Sequence, residues 1–87
     1  MRDLIEIIVE SHSGYKANEY PKRFYWDNIP FEIEEIIDRW YQRGMDPEMP
    51  DANYFKVRTT DKKIYILRHE TEQDNWYLWI RGESINL

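Results

Sequence analysis

The sequence contains no cysteine, so no disulfide can form and no thiolate can bind a metal or attack a substrate. Its three glycines are separate, which leaves no glycine-rich loop for a phosphate group. No apolar run approaches the roughly 18 residues of a membrane span, and Glu6 interrupts the apolar N-terminal stretch where a secretory signal would need continuity. We therefore expect a cytoplasmic protein that requires no cofactor.

Positive charge is also scarce, because 12 Lys and Arg residues face 17 Asp and Glu residues and the net charge is −5. Nucleic-acid binding without sequence preference depends on many cationic contacts to phosphate, so this balance disfavours it. Aromatic residues, by contrast, are abundant: four Trp, seven Tyr and three Phe in 87 residues. Large buried rings compensate for the small core of a chain this short. The length predicts a single domain over residues 1–87.

Alternating apolar and polar residues predict several short strands. The segments concerned are residues 4–9, 22–26, 54–59, 64–68 and 76–80. The last three are separated by short polar turns and predict an antiparallel meander of three strands.

Residues 31–43 fit two structures. Their apolar positions have the spacing of one helix face, namely Ile33, Ile36, Ile37, Trp40 and Tyr41. Acidic residues come early in the segment and Arg39 and Arg43 come late, as the helix dipole favours. A strand fits as well, because Phe31 and Ile33 alternate with glutamates and one bulge near Glu35 restores the alternation. The local pattern alone favours the helix.

The order of aromatic and apolar residues resembles a small prokaryotic domain family of unknown function. The matching positions lie within residues 22–80 and are Phe24-x-Trp26, Phe31-x-Ile33-x-x-Ile36, Trp40, Tyr54-x-x-Val57, Ile64-Tyr65-Ile66 and Trp76-x-Leu78. Similar members are stand-alone small proteins or short C-terminal extensions of Y-family DNA-polymerase-like proteins. The resemblance implies a bent strand over residues 31–41, a small all-β barrel or roll, and a link to DNA metabolism.

We therefore predict a mostly β fold, a small curled antiparallel sheet or barrel of five to six strands. The alternative is an α+β fold in which a helix over residues 31–43 packs on the sheet.

A two-residue turn at Asp61-Lys62 would place Val57 opposite Ile66 and Arg58 opposite Tyr65. The meander then has an apolar face, formed by Phe55, Val57, Ile64, Ile66, Trp76, Leu78 and Ile80. Its other face carries Leu67, His69 and a set of aromatic and basic residues. That set is the predicted binding surface: Tyr54, Lys56, Arg58, Tyr65, Tyr77, Trp79 and Arg81.

Two functions suit such a surface. Tyr, Trp and Arg dominate protein interfaces, which favours a non-enzymatic adaptor or binding module with a protein partner. Rings interleaved with cations also suit single-stranded nucleic acid, although the net charge disfavours it. The sequence does not indicate an oligomeric state.

No catalytic or metal-binding residues are predicted. His12 and His69 lie far apart without ligand spacing, and His69 is expected at a solvent-exposed loop edge. Ser11 and His12 are neighbours on a strand and point to opposite faces, which argues against a nucleophile and its base. The acidic residues of 32–38 are expected on a solvated face balanced by Arg39 and Arg43. Residues 46–51 lack the glycine and terminal glutamate of a calcium loop.

Overall fold

The computed structural model describes residues 4–12, 20–44 and 50–79 of the chain. These residues form six strands: β1 (Leu4–His12), β2 (Tyr20–Trp26), β3 (Ile29–Gln42), β4 (Ala52–Thr59), β5 (Ile64–Glu70) and β6 (Asn75–Trp79). Each strand pairs antiparallel with the next, and β1 pairs with β6, so the sheet closes into a barrel in the order β1-β2-β3-β4-β5-β6. The prediction of a mostly β barrel is confirmed. Within the described residues, no helix is long and apolar enough to cross a membrane.

Two long strands are shared between the two halves of the barrel. Residues 4–7 of β1 pair with β6, whereas residues 8–12 pair with β2. Residues 29–32 of β3 pair with β2, and residues 33–42 pair with β4. The barrel therefore consists of a small sheet centred on β2 and a larger sheet containing β4, β5 and β6. The core lies between them.

β3 is a strand over its whole length, so the alternative helix over residues 31–43 is wrong. Its register with β4 shifts between Ile33 and Glu35 and again between Ile36 and Asp38. The first shift is the bulge predicted near Glu35. Each bulge adds one residue to β3, so Ile33 and Ile36, three residues apart, stand opposite the inward-facing Thr59 and Val57. The first bulge thus gives Ile33 and Ile36 the three-residue spacing of a helix face, whereas Trp40 lies on the outer face and Ile37 and Tyr41 are exposed.

The core consists of apolar side chains from both halves of the barrel. Its buried members are Ile7, Phe24, Phe55, Val57, Leu67, Trp76 and Leu78, with Tyr65 and Phe31 among the partly buried residues packed against them. Phe24 stacks on Phe31 with ring centroids 4.9 Å apart, and the edge of Tyr65 meets Phe24 at 5.4 Å. These contacts link β2 and β3 to β5 across the barrel.

The hairpin loop between β4 and β5, closed by Thr59 opposite Lys63, consists of the three residues 60–62 rather than the two we predicted. The Thr59 N–H donates to the Lys63 carbonyl (3.0 Å), the Lys62 N–H donates to the Thr59 carbonyl (2.8 Å), and Lys62 has a φ of 69°. A left-handed residue at the last position is typical of three-residue hairpin loops. The extra residue moves the register by one, so Val57 faces Tyr65 and Arg58 faces Ile64.

A shift of one residue turns every β5 side chain to the opposite face. The prediction for this strand is therefore wrong. Tyr65, Leu67 and His69 point into the barrel, where Leu67 is fully buried. Ile64 and Ile66 point outward, and Ile64 is 48% exposed. The predictions for β4 and β6 are confirmed, because Phe55, Val57, Trp76 and Leu78 are all in the core; Ile80 lies outside the described residues.

Candidate functional site

The predicted binding residues divide between the two faces of the larger sheet. Tyr54, Lys56 and Arg58 alternate on β4 with the buried core residues, and Tyr77 and Trp79 do so on β6, which places these five side chains on the outer face. Tyr65 lies on the inner face of β5, opposite Val57, and Arg81 lies outside the described residues.

Tyr65 is part of the core rather than of the predicted surface. Its ring meets Phe24 and Phe31 edge-on, with centroids 5.4 and 5.7 Å away. Burial raises the pKa of its phenol, and the negative charge of Asp61 adds to the increase. The hydroxyl is therefore held in its neutral form at the end of the barrel near the β4–β5 turn.

The outer face carries a row of cross-strand neighbours that runs over five strands. In the observed register Trp40 is opposite Tyr54, Tyr54 is opposite Arg68, Arg68 is opposite Tyr77, and Tyr77 is opposite Glu6. Trp79 lies two residues along β6 from Tyr77, on the same face, and contacts Tyr54. We call Trp40, Tyr54, Arg68, Tyr77 and Trp79 the outer aromatic band.

Direct ring contacts fix the geometry of this band. Trp40 and Tyr54 stack with their centroids 5.3 Å apart and their planes within 2°. Trp79 approaches Tyr54 from the other side at 5.7 Å with a tilt of 58°. Trp40 and Trp79 are only half-buried, whereas Tyr54 between them is buried. The band therefore presents two partly exposed indoles supported by a central phenol.

Arg68 contacts Tyr54 and has only 2% of its surface exposed, although it points out of the barrel. Its Nη1 donates to the Tyr54 hydroxyl at 2.7 Å, and its guanidinium carbon is 5.5 Å from the centroid of that ring. Its Nε donates to Glu70 Oε2 at 3.0 Å, and its Nη2 donates to the Pro50 carbonyl at 2.9 Å. A buried charge is tolerated when such partners compensate for the lost water.

Tyr77 extends the band toward β1. Burial raises the pKa of its phenol, and the nearby carboxylates of Glu70 and Glu6 raise it further. Its hydroxyl therefore stays protonated and remains a hydrogen-bond donor at the border of the band.

Arg58 of the predicted surface and the neighbouring Lys62 are engaged by acidic residues of β3, whereas Lys56 has no ion pair among the described residues. Arg58 Nε donates to Glu34 Oε2 at 2.9 Å, and its Nη2 donates to Glu35. Lys62 Nζ is 3.0 Å from Glu34 Oε2, and these two cations lower the pKa of the Glu34 carboxyl through hydrogen bonds and charge. Lys56 stands opposite Asp38 in the β3–β4 register.

We expected the acidic residues of 32–38 to be balanced by Arg39 and Arg43, but the cations that bind them lie outside β3. Glu32 bonds Arg23 of β2 at 2.6 Å, and Glu34 and Glu35 bond Arg58, whereas Arg39 lies over the Phe55 ring at 4.8 Å. The neutralising charges come from β2, β4 and the β4–β5 turn. Spacing within β3 alone does not show this.

His69 is buried, which contradicts our expectation of a histidine at a solvent-exposed edge. Its ring stacks on Trp76 at 4.0 Å with the planes within 7°, and its Nε2 is 2.8 Å from Asp74 Oδ1. Its inward orientation follows from the three-residue turn. Ser11 and His12 are both part of β1. Among the described residues, no three His, Asp or Glu side chains are grouped so that they could hold a metal ion.

Trp40 and Arg68 are the band residues that sequence reasoning did not identify. The helical spacing places Trp40 in an apolar stripe, and the predicted two-residue turn orients Arg68 toward the core. One signal was available: the charged Arg68 and Glu70 alternate in step with Ile64 and Ile66, which indicates that this side of β5 faces outward.

Comparison with known proteins gives no relative: no family model, curated protein or solved structure matches this chain. The resemblance to the small prokaryotic domain family remains a prediction.

Proposed function

We propose that this chain is a non-enzymatic protein-binding module and that the outer aromatic band is its contact surface. The supporting observation is the row of Trp40, Tyr54, Arg68 and Tyr77 across neighbouring strands, with Trp79 against it. Trp, Tyr and Arg are the residues that most often supply the binding energy of protein interfaces.

The side chains of the band are held in place by one another, which supports this proposal. Trp40 and Trp79 are both held against Tyr54, and Tyr54 is held by the buried Arg68. Side chains that are fixed before binding lose little conformational entropy when a partner covers them. Their partly exposed ring surfaces are therefore efficient anchors for an apolar group of another protein.

The charge around the band favours protein over single-stranded nucleic acid. A nucleic-acid platform needs cations free to meet phosphates beside its stacking rings. Here Arg58 is bound to Glu34 and Glu35, and Lys62 is bound to Glu34, so Lys56 is the one predicted cation of the described outer face that is in no ion pair with a described residue. The net charge of −5 adds a general repulsion of polyanions.

Affinity capture with the full chain as bait tests the proposal. We expect a partner protein to be retained by the wild type and lost with Trp79→Ala, because truncation of an interface hot spot costs about 2 kcal/mol or more, roughly thirtyfold in affinity. Tyr25→Ala is the matched control, since Tyr25 is a half-buried aromatic residue on the outside of the smaller sheet. Circular dichroism verifies that both variants fold.

Retention of the same partner by Trp79→Ala contradicts the proposed surface. A second titration separates the partner classes. If short single-stranded DNA or RNA binds the wild type, loses affinity steeply with added salt and no longer binds Trp79→Ala, the nucleic-acid hypothesis replaces the protein one.

A further inference from the structure

A second row of outer side chains lies beside the outer aromatic band. In the observed register Lys56 is opposite Ile66, Ile66 is opposite Trp79, and Trp79 is opposite Leu4. Ile66, Trp79 and Leu4 are each half-buried. Cross-strand neighbours on one face of a sheet lie close enough for their side chains to pack together. The apolar surface of the band therefore continues over β5, β6 and β1, with Lys56 at its β4 end.

Two opposite charges lie on either side of this apolar surface. Lys56 of β4 and Glu6 of β1 are exposed, and neither is in an ion pair with a residue that the structure describes. Asp38, opposite Lys56, accepts instead from the backbone N–H of Arg39. Because β5 and β6 separate them, Lys56 and Glu6 are three strand spacings apart, about 14 Å, which is too far for a mutual ion pair.

This surface is complementary to a second copy of itself. In a dimer with a twofold axis each contact occurs twice, because residue i of one copy meets residue j of the other and j meets i. An axis that passes between β5 and β6 lies midway between the two charges. Lys56 then faces Glu6 of the second copy, and Glu6 faces the second lysine. The apolar side chains of Ile66 and Trp79 lie at the centre, between the two ion pairs.

We propose that the outer surface of β4, β5, β6 and β1 binds a second copy of this chain in a twofold dimer, with a Lys56–Glu6 pair at each end. The inference rests on the proposed function, because it names the partner of the same surface. Aromatic residues at the centre of the interface supply affinity, and the charges at its rim fix the orientation. Since each copy has a net charge of −5, two local attractions select this orientation over others.

Charge reversal tests the proposal, with sedimentation equilibrium of the full chain as the measurement. Lys56→Glu brings two carboxylates together at each end, and Glu6→Lys brings two ammonium groups together. We expect each variant alone to dimerise at least about tenfold more weakly than the wild type. An equimolar mixture of the two variants again joins opposite charges at both ends, so its heterodimer should have an affinity within about threefold of the wild-type dimer.

Two comparisons separate this contact from an effect of net charge. Glu6→Lys reduces the net negative charge of the chain, so weaker dimerisation of this variant supports a specific contact. Lys22→Glu makes the same change in net charge as Lys56→Glu but lies on β2, in the smaller sheet. It is expected to dimerise within about twofold of the wild type. Circular dichroism verifies that all the variants fold.

A wild type that remains monomeric at about 1 mM, or a mixture that associates as weakly as its components, overturns the proposal. Dimerisation of Trp79→Ala at wild-type affinity also overturns it, because a central aromatic anchor should cost roughly thirtyfold. The proposed function fails separately. If the wild type is monomeric but retains a different protein that Trp79→Ala loses, the band remains a protein-binding surface and only the second copy is excluded as its partner.

Discussion

The two faces of the larger sheet are buried in different ways. On the inner face, Leu67 of β5 packs among Phe55, Leu78 and other apolar side chains. On the outer face, the next residue of the same strand, Arg68, is almost as buried but is enclosed by hydroxyl, carboxylate and carbonyl oxygens. Leu67 is thus buried in an apolar environment, and its neighbour Arg68 is buried in a polar one.

The difference shows that burial alone does not define how a position responds to change. An apolar site loses stability through the transfer term and the cavity that a truncation leaves. A buried ionic site loses stability when one partner remains without the other, and it can recover when both are replaced. We therefore expect that replacing both partners restores stability at the ionic site on the outer face. A further truncation in the apolar core on the inner face should only add to the loss.

Leu67→Ala is expected to have the largest effect. Removal of a fully buried leucine costs about 3 to 5 kcal/mol of unfolding free energy, a large share of the stability of a domain this size. Denaturant unfolding monitored by tryptophan fluorescence measures it. Leu67→Met keeps the volume and should cost less than about 1.5 kcal/mol. A small loss for Leu67→Ala would show that the inner face is not tightly packed.

Arg68→Met is expected to cost about 3 kcal/mol, because it leaves the Glu70 carboxylate buried without its cation. The double variant Arg68→Met with Glu70→Leu should regain about 1 to 2 kcal/mol of that loss, since no unpaired charge remains. The same denaturant unfolding compares the two variants. If the double variant is less stable than the single one, the outer band behaves like the inner core and the comparison fails.

Alkaline pH should affect both faces in the same direction. Burial raises the pKa of Tyr65 inside the barrel and of Tyr77 outside it. A phenol whose pKa is raised by folding contributes stability that is fully present below its ordinary pKa of 10.0 and is lost as pH rises above it. Unfolding curves from about pH 9 to pH 11 should show this loss, and Tyr65→Phe and Tyr77→Phe should each reduce it. Unchanged pH dependence in either variant contradicts the assignment for that face.

Acid should act through a carboxylate in the connection that precedes β4, with the smallest effect of the four. Asp51 follows Pro50, the residue whose carbonyl binds Arg68, and the Gly44 N–H and the Tyr41 hydroxyl lower the pKa of its carboxyl. Its contribution to stability is present above the ordinary pKa of 3.8 and is lost as pH falls through the lowered value.

Asp51→Asn should therefore lose less stability between about pH 5 and pH 2 than the wild type does, as measured by the midpoint of denaturant unfolding. Asp38→Asn is the control, because Asp38 accepts only from the backbone of its neighbour Arg39 among the hydrogen bonds described. An acid response of Asp51→Asn that equals the wild type would show that the connection before β4 does not depend on this carboxylate.

The strands and the first bulge were predictable because they depend on local alternation. The orientation of β5 was harder to predict, since Ile64, Tyr65, Ile66 and Leu67 are apolar on both faces and only the turn length and the charges at Arg68 and Glu70 distinguish the two faces. The turn sequence carries no glycine at the left-handed position, where Lys62 stands, so the common sign of a three-residue loop is missing. One misassigned turn residue therefore inverted a whole strand.

The candidate surface was partly predictable for the same reason. Tyr54, Tyr77 and Trp79 follow from alternation on β4 and β6, which the core residues of those strands fix. Trp40 required knowledge of the two bulges in β3, and Arg68 required the register of β5. Contacts between strands decide the position of Trp40, whereas the alternation of Arg68 and Glu70 with Ile64 and Ile66 is a local signal for Arg68.

The closure of the barrel has a consequence for the order of folding. Most strands pair with the next one along the chain, but Leu4 pairs with Trp79, so β1 depends on a partner that is synthesised after all the others. Local hairpins form sooner than contacts between distant segments, because less chain entropy is lost. We expect the β1–β6 seam to form last during synthesis, and until then the chain carries an open strand edge that is vulnerable to pairing with neighbouring molecules.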